Sequence, residues 1–85
     1  MKSFQIKITT IKEIKEFVKL NEQQSFDIDA ESERYTVDAK SPMGLFSMNL
    51  KNPILIICHT DNEREIRKYE RTLQNIFQLK SGNPN

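Results

Sequence analysis

One stretch limits what this chain can become more than any other: Ile54 to His59, reading ILIICH. It is a continuous apolar run rich in β-branched side chains, set off by Lys51-Asn52-Pro53, which reads as a turn. Such a run predicts the most deeply buried strand of the fold. Its lack of alternation points either to cover on both faces or to a central place in a sheet. The chain has 85 residues, enough for one domain (1–85) with a modest core, so every other element has to be laid against this strand or its neighbours.

Those elements follow from periodicity. Ser3–Ile8 alternates, with Phe4, Ile6 and Ile8 on one side, and predicts a half-buried strand. Thr10 and Glu13 frame a T-I-K-E capping box, so a helix is expected from Ile11 to about Asn21. Its apolar stripe would be Ile11, Ile14, Phe17, Val18 and Leu20. Phe26, Ile28 and Ala30 alternate with acidic residues. After a polar Ser32–Arg34 link, Tyr35, Val37 and Ala39 do the same, which reads as a hairpin. Ser41-Pro42 then starts a short helix ending near Met48–Asn49, with serine as cap and proline at the first helical position. Beyond the central strand, Thr60 or Asp61 could cap a helix from Glu63 to about Leu79. Ile66, Tyr69, Leu73, Ile76 and Phe77 would face inward, and Ser81–Asn85 would fray, making 80–85 a tail. The order β-α-β-β-α-β-α predicts an α+β, open-faced β-sandwich: a four-stranded antiparallel sheet with helices on one face.

Several function classes drop out. Thirteen basic and twelve acidic residues leave a net charge of +1, which gives no electrostatic case for nucleic acid. The single cysteine, Cys58, excludes an internal disulfide framework and suits a reducing compartment. Lys2, Lys7, Lys12 and Lys15 interrupt the start of the chain, so neither a signal peptide nor a membrane span is expected, and cytoplasmic is the default location. Cys58 and His59 are adjacent, but neighbours in a strand point to opposite faces, which argues against a nucleophilic pair or a metal site. No other ligand spacing is present, and nothing assembles a nucleophile, a base and an anion hole. The expectation is therefore no cofactor and no enzyme.

What remains is Thr36 to Met48, reading TVDAKSPMGLFSM. It closely resembles the corresponding run of the histidine-containing phosphocarrier protein (HPr) family of the bacterial sugar phosphotransferase system: T-V, a polar residue, a small or apolar one, K-S-I-M-G, two apolar residues, then S-L. Lys40, Ser41, Met43, Gly44 and Ser47 match as identities, and Leu45, Phe46 and Met48 match in kind. Asp27-Ile28-Asp29 also resembles the family's second strand. The element order is similar over nearly the whole chain, but only the central run is specific.

The resemblance implies two functional positions. The family carries a phosphoryl group on a histidine at the start of the first helix, followed by A-R-P. Here that place reads Thr9-Thr10-Ile11-Lys12-Glu13. Threonine cannot form a phosphoimidazole, Lys12 stands roughly where the arginine would be, and Glu13 would oppose an incoming phosphate, so Thr10 and Lys12 mark a degenerate site. The second position is the family's regulatory serine, matched by Ser41, with Lys40, Met43, Phe46 and Ser47 as the docking surface around it. Pro42, where the family has an aliphatic residue, alters what a kinase would grip. Ser41 is thus either a phosphosite or a plain helix cap. Relatives that keep the serine without the histidine, the catabolite-repression variant of HPr, have a similar run. They imply a non-catalytic regulatory protein with an HPr-kinase-like or transcription-regulator-like partner. The alternatives are an atypical phosphocarrier using His59, or an HPr-fold interaction domain unrelated to sugar transport.

Overall fold

The run Ile54–His59 forms one unbroken strand in the interior of a four-stranded sheet. The computed structural model describes residues 1–33 and 35–77. Its elements are β1 (Lys2–Ile6), α1 (Ile11–Glu22), β2 (Asp27–Glu31), β3 (Thr36–Asp38), α2 (Pro42–Phe46), β4 (Ile54–His59) and α3 (Glu63–Phe77). The sheet order is β1-β4-β2-β3, every pairing is antiparallel, and the helices pack on one face. Ile56 sits between Phe4 and Ala30 in register, at the centre of the sheet.

Of the two explanations for the unalternating apolar run, the central position is the right one. Burial along β4 does alternate: Ile54, Ile56 and Cys58 are sealed beneath the helices, while Leu55 and Ile57 on the outer face are only half-buried. Neighbouring strands on both sides shade those two residues, and no described helix lies over them.

The core joins Phe4 and Ile6 of β1, Ile28 and Ala30 of β2, the inner residues of β4, Phe17 and Val18 of α1, Leu45 of α2, and Ile66, Tyr69 and Leu73 of α3. Apolar spacing at three and four residues gives α1 and α3 one buried stripe each. Several sequence expectations need correction. β1 stops at Ile6, although Ile8 is still buried. Ile11 does not join the stripe of α1: it lies on the first turn, 61% exposed. Tyr35 is likewise outside β3 and exposed, because the hairpin closes on the bond from Ser32 N–H to its carbonyl (2.9 Å) rather than on continued alternation. α2 ends at Phe46, earlier than Met48–Asn49. Asn62, not Thr60 or Asp61, caps α3, its Oδ1 accepting from Glu65 N–H at 3.1 Å; Thr60 instead accepts from Asn62 N–H. Leu79 and the expected tail 80–85 lie outside the described residues.

Gly44 sets how closely α2 approaches β3. A Cβ there would stand 3.0 Å from Val37 Cβ, an atom fixed to the backbone of a strand and unable to swing aside. Helix propensity favours Gly44→Ala by up to ~1 kcal/mol. Because the contact with Val37 Cβ opposes it, we expect the substitution to lower stability in chemical denaturation, and Val37→Ala in the same chain, which keeps that Cβ, to recover little of the loss. A stabilised single variant would show that α2 can move outward freely.

Candidate functional site

The first candidate surface is the start of α1. Thr10 is extended (φ −135°, ψ 156°) and its hydroxyl accepts from Glu13 N–H at 3.1 Å, closing the first turn. The Glu13 carboxylate reaches back one residue further than the usual box: Oε1 accepts from Thr9 N–H at 2.8 Å and from the Thr9 hydroxyl at 3.1 Å. The Thr9 backbone bond is the main reason the Glu13 carboxyl sits below its ordinary value of 4.5. This end of α1 therefore already holds an anion. Lys12 and Ile11 are exposed beside it, and a shallow depression of about 440 Å³ runs from Thr10 past Ile14 to Leu50. Lys7 borders that depression, with its ammonium engaged by the carbonyls of Leu50 (3.0 Å) and Lys51.

Because the folded pKa of Glu13 is lowered, its contribution to stability is complete above pH 4.5 and disappears as pH falls through the lower folded value. Glu13→Gln is expected to destabilise at neutral pH by roughly 0.5 kcal/mol, since the group is solvent-screened, and to be neutral in acid. Thermal melts of both proteins across that range check this.

The second surface is α2. Ser41 is extended, and its Oγ accepts from Gly44 N–H at 3.2 Å, with Pro42 in the first turn. Ser47 ends the helix; its hydroxyl donates to the Gly44 carbonyl at 2.7 Å. Leu45 and Met48 point into the core, which leaves Met43 and Phe46 on the solvent side, 82% and 49% exposed. Lys40 does not join them. Its Nζ donates to the Gln24 carbonyl at 3.1 Å, fastening the loop to the far end of α1, and its N–H donates to Asp38 Oδ1 at 2.8 Å.

Those fastenings fix the arrangement. The Asn21 amide donates to the Ala39 carbonyl at 2.8 Å, so the residues entering α2 lie at the C-terminal end of α1, while Leu50, after α2, borders its N-terminal end. Thr10 and Ser41 thus sit at opposite ends of a 12-residue helix, about 18 Å long. Sequence reasoning singled out both positions but had no means of separating them. It also missed Asn21, whose carbonyl oxygen accepts from the buried Tyr69 hydroxyl at 2.5 Å. An amide in the last turn of an apolar stripe was the one signal available.

His59 belongs to neither surface. It lies on the outer sheet face, Nε2 2.8 Å from Asp29 Oδ2. Cys58 faces the other way, fully buried, and desolvation pushes its thiol up to about 12. The two cannot act together. Among the described residues no group of three or more His, Cys, Asp or Glu side chains could hold a metal, and no helix is long and apolar enough to cross a membrane.

No family model and no curated protein matches the sequence. Solved structures do. One is HPr-C-His from Thermoanaerobacter tengcongensis, at 26% identity and a TM-score of 0.73, covering 94% of this chain and 99% of that one. Another is the histidine-containing phosphocarrier protein of Mycoplasma, at 18% identity and a TM-score of 0.72, covering 93% and 99%. The chain has the HPr-like fold. Both likenesses run over nearly the whole length of this chain and of its neighbours. They also give the phosphotransferase-related resemblance carried by residues 36–48 a structural basis.

Proposed function

We propose that this HPr-like chain is a non-catalytic regulatory or docking protein that works by touching partners through α2 and does not carry phosphate on an imidazole. The observation that carries the reading is the start of α1. Thr10 occupies the cap, and the Glu13 carboxylate is bound across the Thr9 N–H, so the helix end offers no imidazole nucleophile and repels an incoming phosphoryl group. Met43 and Phe46 give α2 exposed apolar side chains that the core does not use, as a docking surface requires.

Ser41 is the regulatory position in this reading. Its Oγ already points at the amide of Gly44, and a phosphate there would bring a charge of about −2 to a place that the first-turn N–H groups favour. The partners would be an HPr-kinase-like protein and a transcription-regulator-like protein, in the cytoplasm of a bacterial cell. Incubation with an HPr kinase and ATP, with the product mapped by mass spectrometry, should place one phosphate on Ser41 and none on Ser41→Ala. An unlabelled chain would remove Ser41 from the reading. Incubation with phosphoenolpyruvate and the general phosphotransferase enzyme should leave the chain unmodified. An acid-labile phosphate, on His59 or anywhere else, would overturn the non-catalytic assignment.

A further inference from the structure

The outer face of the sheet carries one sign of charge. β2 presents Asp27, Asp29 and Glu31 there, and β3 adds Asp38. Asp29 and Asp38 stand directly opposite each other in the antiparallel register, a placement in which like charges repel. His59 meets Asp29 from the other side, and Leu55 and Ile57 form a half-buried apolar ridge beside the carboxylates. Among the described strand residues no lysine or arginine lies on this face. Lys2 is on the helix side, its Nζ 5.9 Å from the centre of the Phe4 ring.

On the opposite side of the molecule, the outward face of α3 carries a basic stripe. Arg64, Arg67, Lys68 and Arg71 follow the i, i+3, i+4, i+7 spacing of one helical stripe, and all are exposed. At 3.6 residues per turn that stripe lies diametrically across α3 from Ile66, Tyr69 and Leu73, which pack against the sheet. Arg67 is shared with Glu63 at 3.7 Å, a long and exposed pair that leaves its charge available.

We propose that the acidic outer sheet face of one copy takes the basic stripe of α3 from a second copy. The fit is chemical as well as electrostatic. The aliphatic stems of arginine and lysine can lie along Leu55 and Ile57 while their charged ends reach Asp27, Asp29 and Asp38. The two surfaces differ, so the contact is heterologous and repeats as an open stack, not a closed dimer. Four strands of about five residues present roughly 300 Å² of flat face. That is well below the ~800 Å² per partner of a stable interface, so the association is weak and salt-sensitive. It does not use Met43, Phe46 or the role assigned to Ser41.

Sedimentation equilibrium on the full chain tests this. At about 1 mM protein and ~20 mM salt the average mass is expected to rise at least ~1.5-fold above the monomer, and to return to it at ~500 mM salt. Amide shifts on dilution should cluster on β2, β4 and the exposed side of α3. Asp27→Asn/Asp29→Asn should abolish the rise. Glu16→Gln/Glu22→Gln on α1 changes net charge equally and should leave it intact, with circular dichroism confirming that both variants fold. A chain that stays monomeric at low salt overturns the proposal. So does association that survives high salt, that responds equally to both double variants, or whose shifts map to Met43 and Phe46.

Discussion

Asn21→Ala is expected to lower the unfolding free energy by about 3 kcal/mol, a large share of what an 85-residue domain has. Asn21 is fully buried and, among the described residues, sits with the Tyr69 hydroxyl in a core of otherwise apolar side chains. Its amide nitrogen donates to the Ala39 carbonyl and its oxygen accepts from the Tyr69 hydroxyl, so one side chain joins α1, α3 and the loop entering α2. Truncation leaves two buried polar groups without partners and opens a small void. Tyr69→Phe alone should cost about 1–2 kcal/mol, because it leaves the Asn21 oxygen unpaired. In the Asn21→Ala chain the same change should be neutral or stabilising, because it removes a stranded hydroxyl. Urea unfolding of the four proteins measures the coupling; additive losses would show that the pair does not act as a unit. Tyr69 adds a pH signature. Burial, and secondarily the charge Cys58 would carry, raises its hydroxyl pKa. The stability it contributes is therefore complete below its ordinary value of 10.0 and is lost as pH rises toward the folded one; Tyr69→Phe should show a shallower decline, the part left to the raised Cys58 thiol.

Phe17→Ala should cost more, about 3–5 kcal/mol. The ring is completely buried at the middle of α1 and meets Phe77 edge-on, with centroids 5.8 Å apart. The loss combines apolar surface returned to water, a cavity too enclosed to collapse, and the aromatic contact that holds the last described turn of α3. At roughly 4–8 °C per kcal/mol for a domain of this size, the melting temperature should fall by at least ~12 °C. Phe17→Leu, which keeps most of the volume, should fall by less than half of that. Equal losses for the two variants would mean that packing volume is not what Phe17 supplies.

Much of this fold was legible because its signals are local. The turn at Lys51–Pro53 and the run after it located β4 to the residue, and the Ser41-Pro42 pair located the start of α2. Two of the misplacements, Ile11 and Tyr35, share one cause. Periodicity assigns a residue to a stripe but does not say where the neighbouring element ends. Ile11 and Tyr35 obey the pattern and still stand in water, because each lies beyond the edge of what packs on its element. The candidate sites were legible as residue types and not as places. Nothing in the spacing of Lys40 announces that its ammonium is committed to Gln24, and nothing around Thr10 and Ser41 announces that α1 holds them apart. Asn21 was unreadable for a related reason: both of its partners are distant in sequence, Ala39 by 18 residues and Tyr69 by 48.

Cys58 gives the fold a built-in clock. Its sulfur lies on the inner side of the central strand, between Lys2 of β1 and Ile28 of β2 in the ladder and sealed beneath the helices. Its raised pKa leaves almost no thiolate at neutral pH while the chain is folded. A thiol-reactive dye can reach it only after β4 has lost its cover, so the rate of labelling counts how often the centre of the sheet comes apart. That reading needs no engineered probe, and it separates opening of the middle from fraying at the edges.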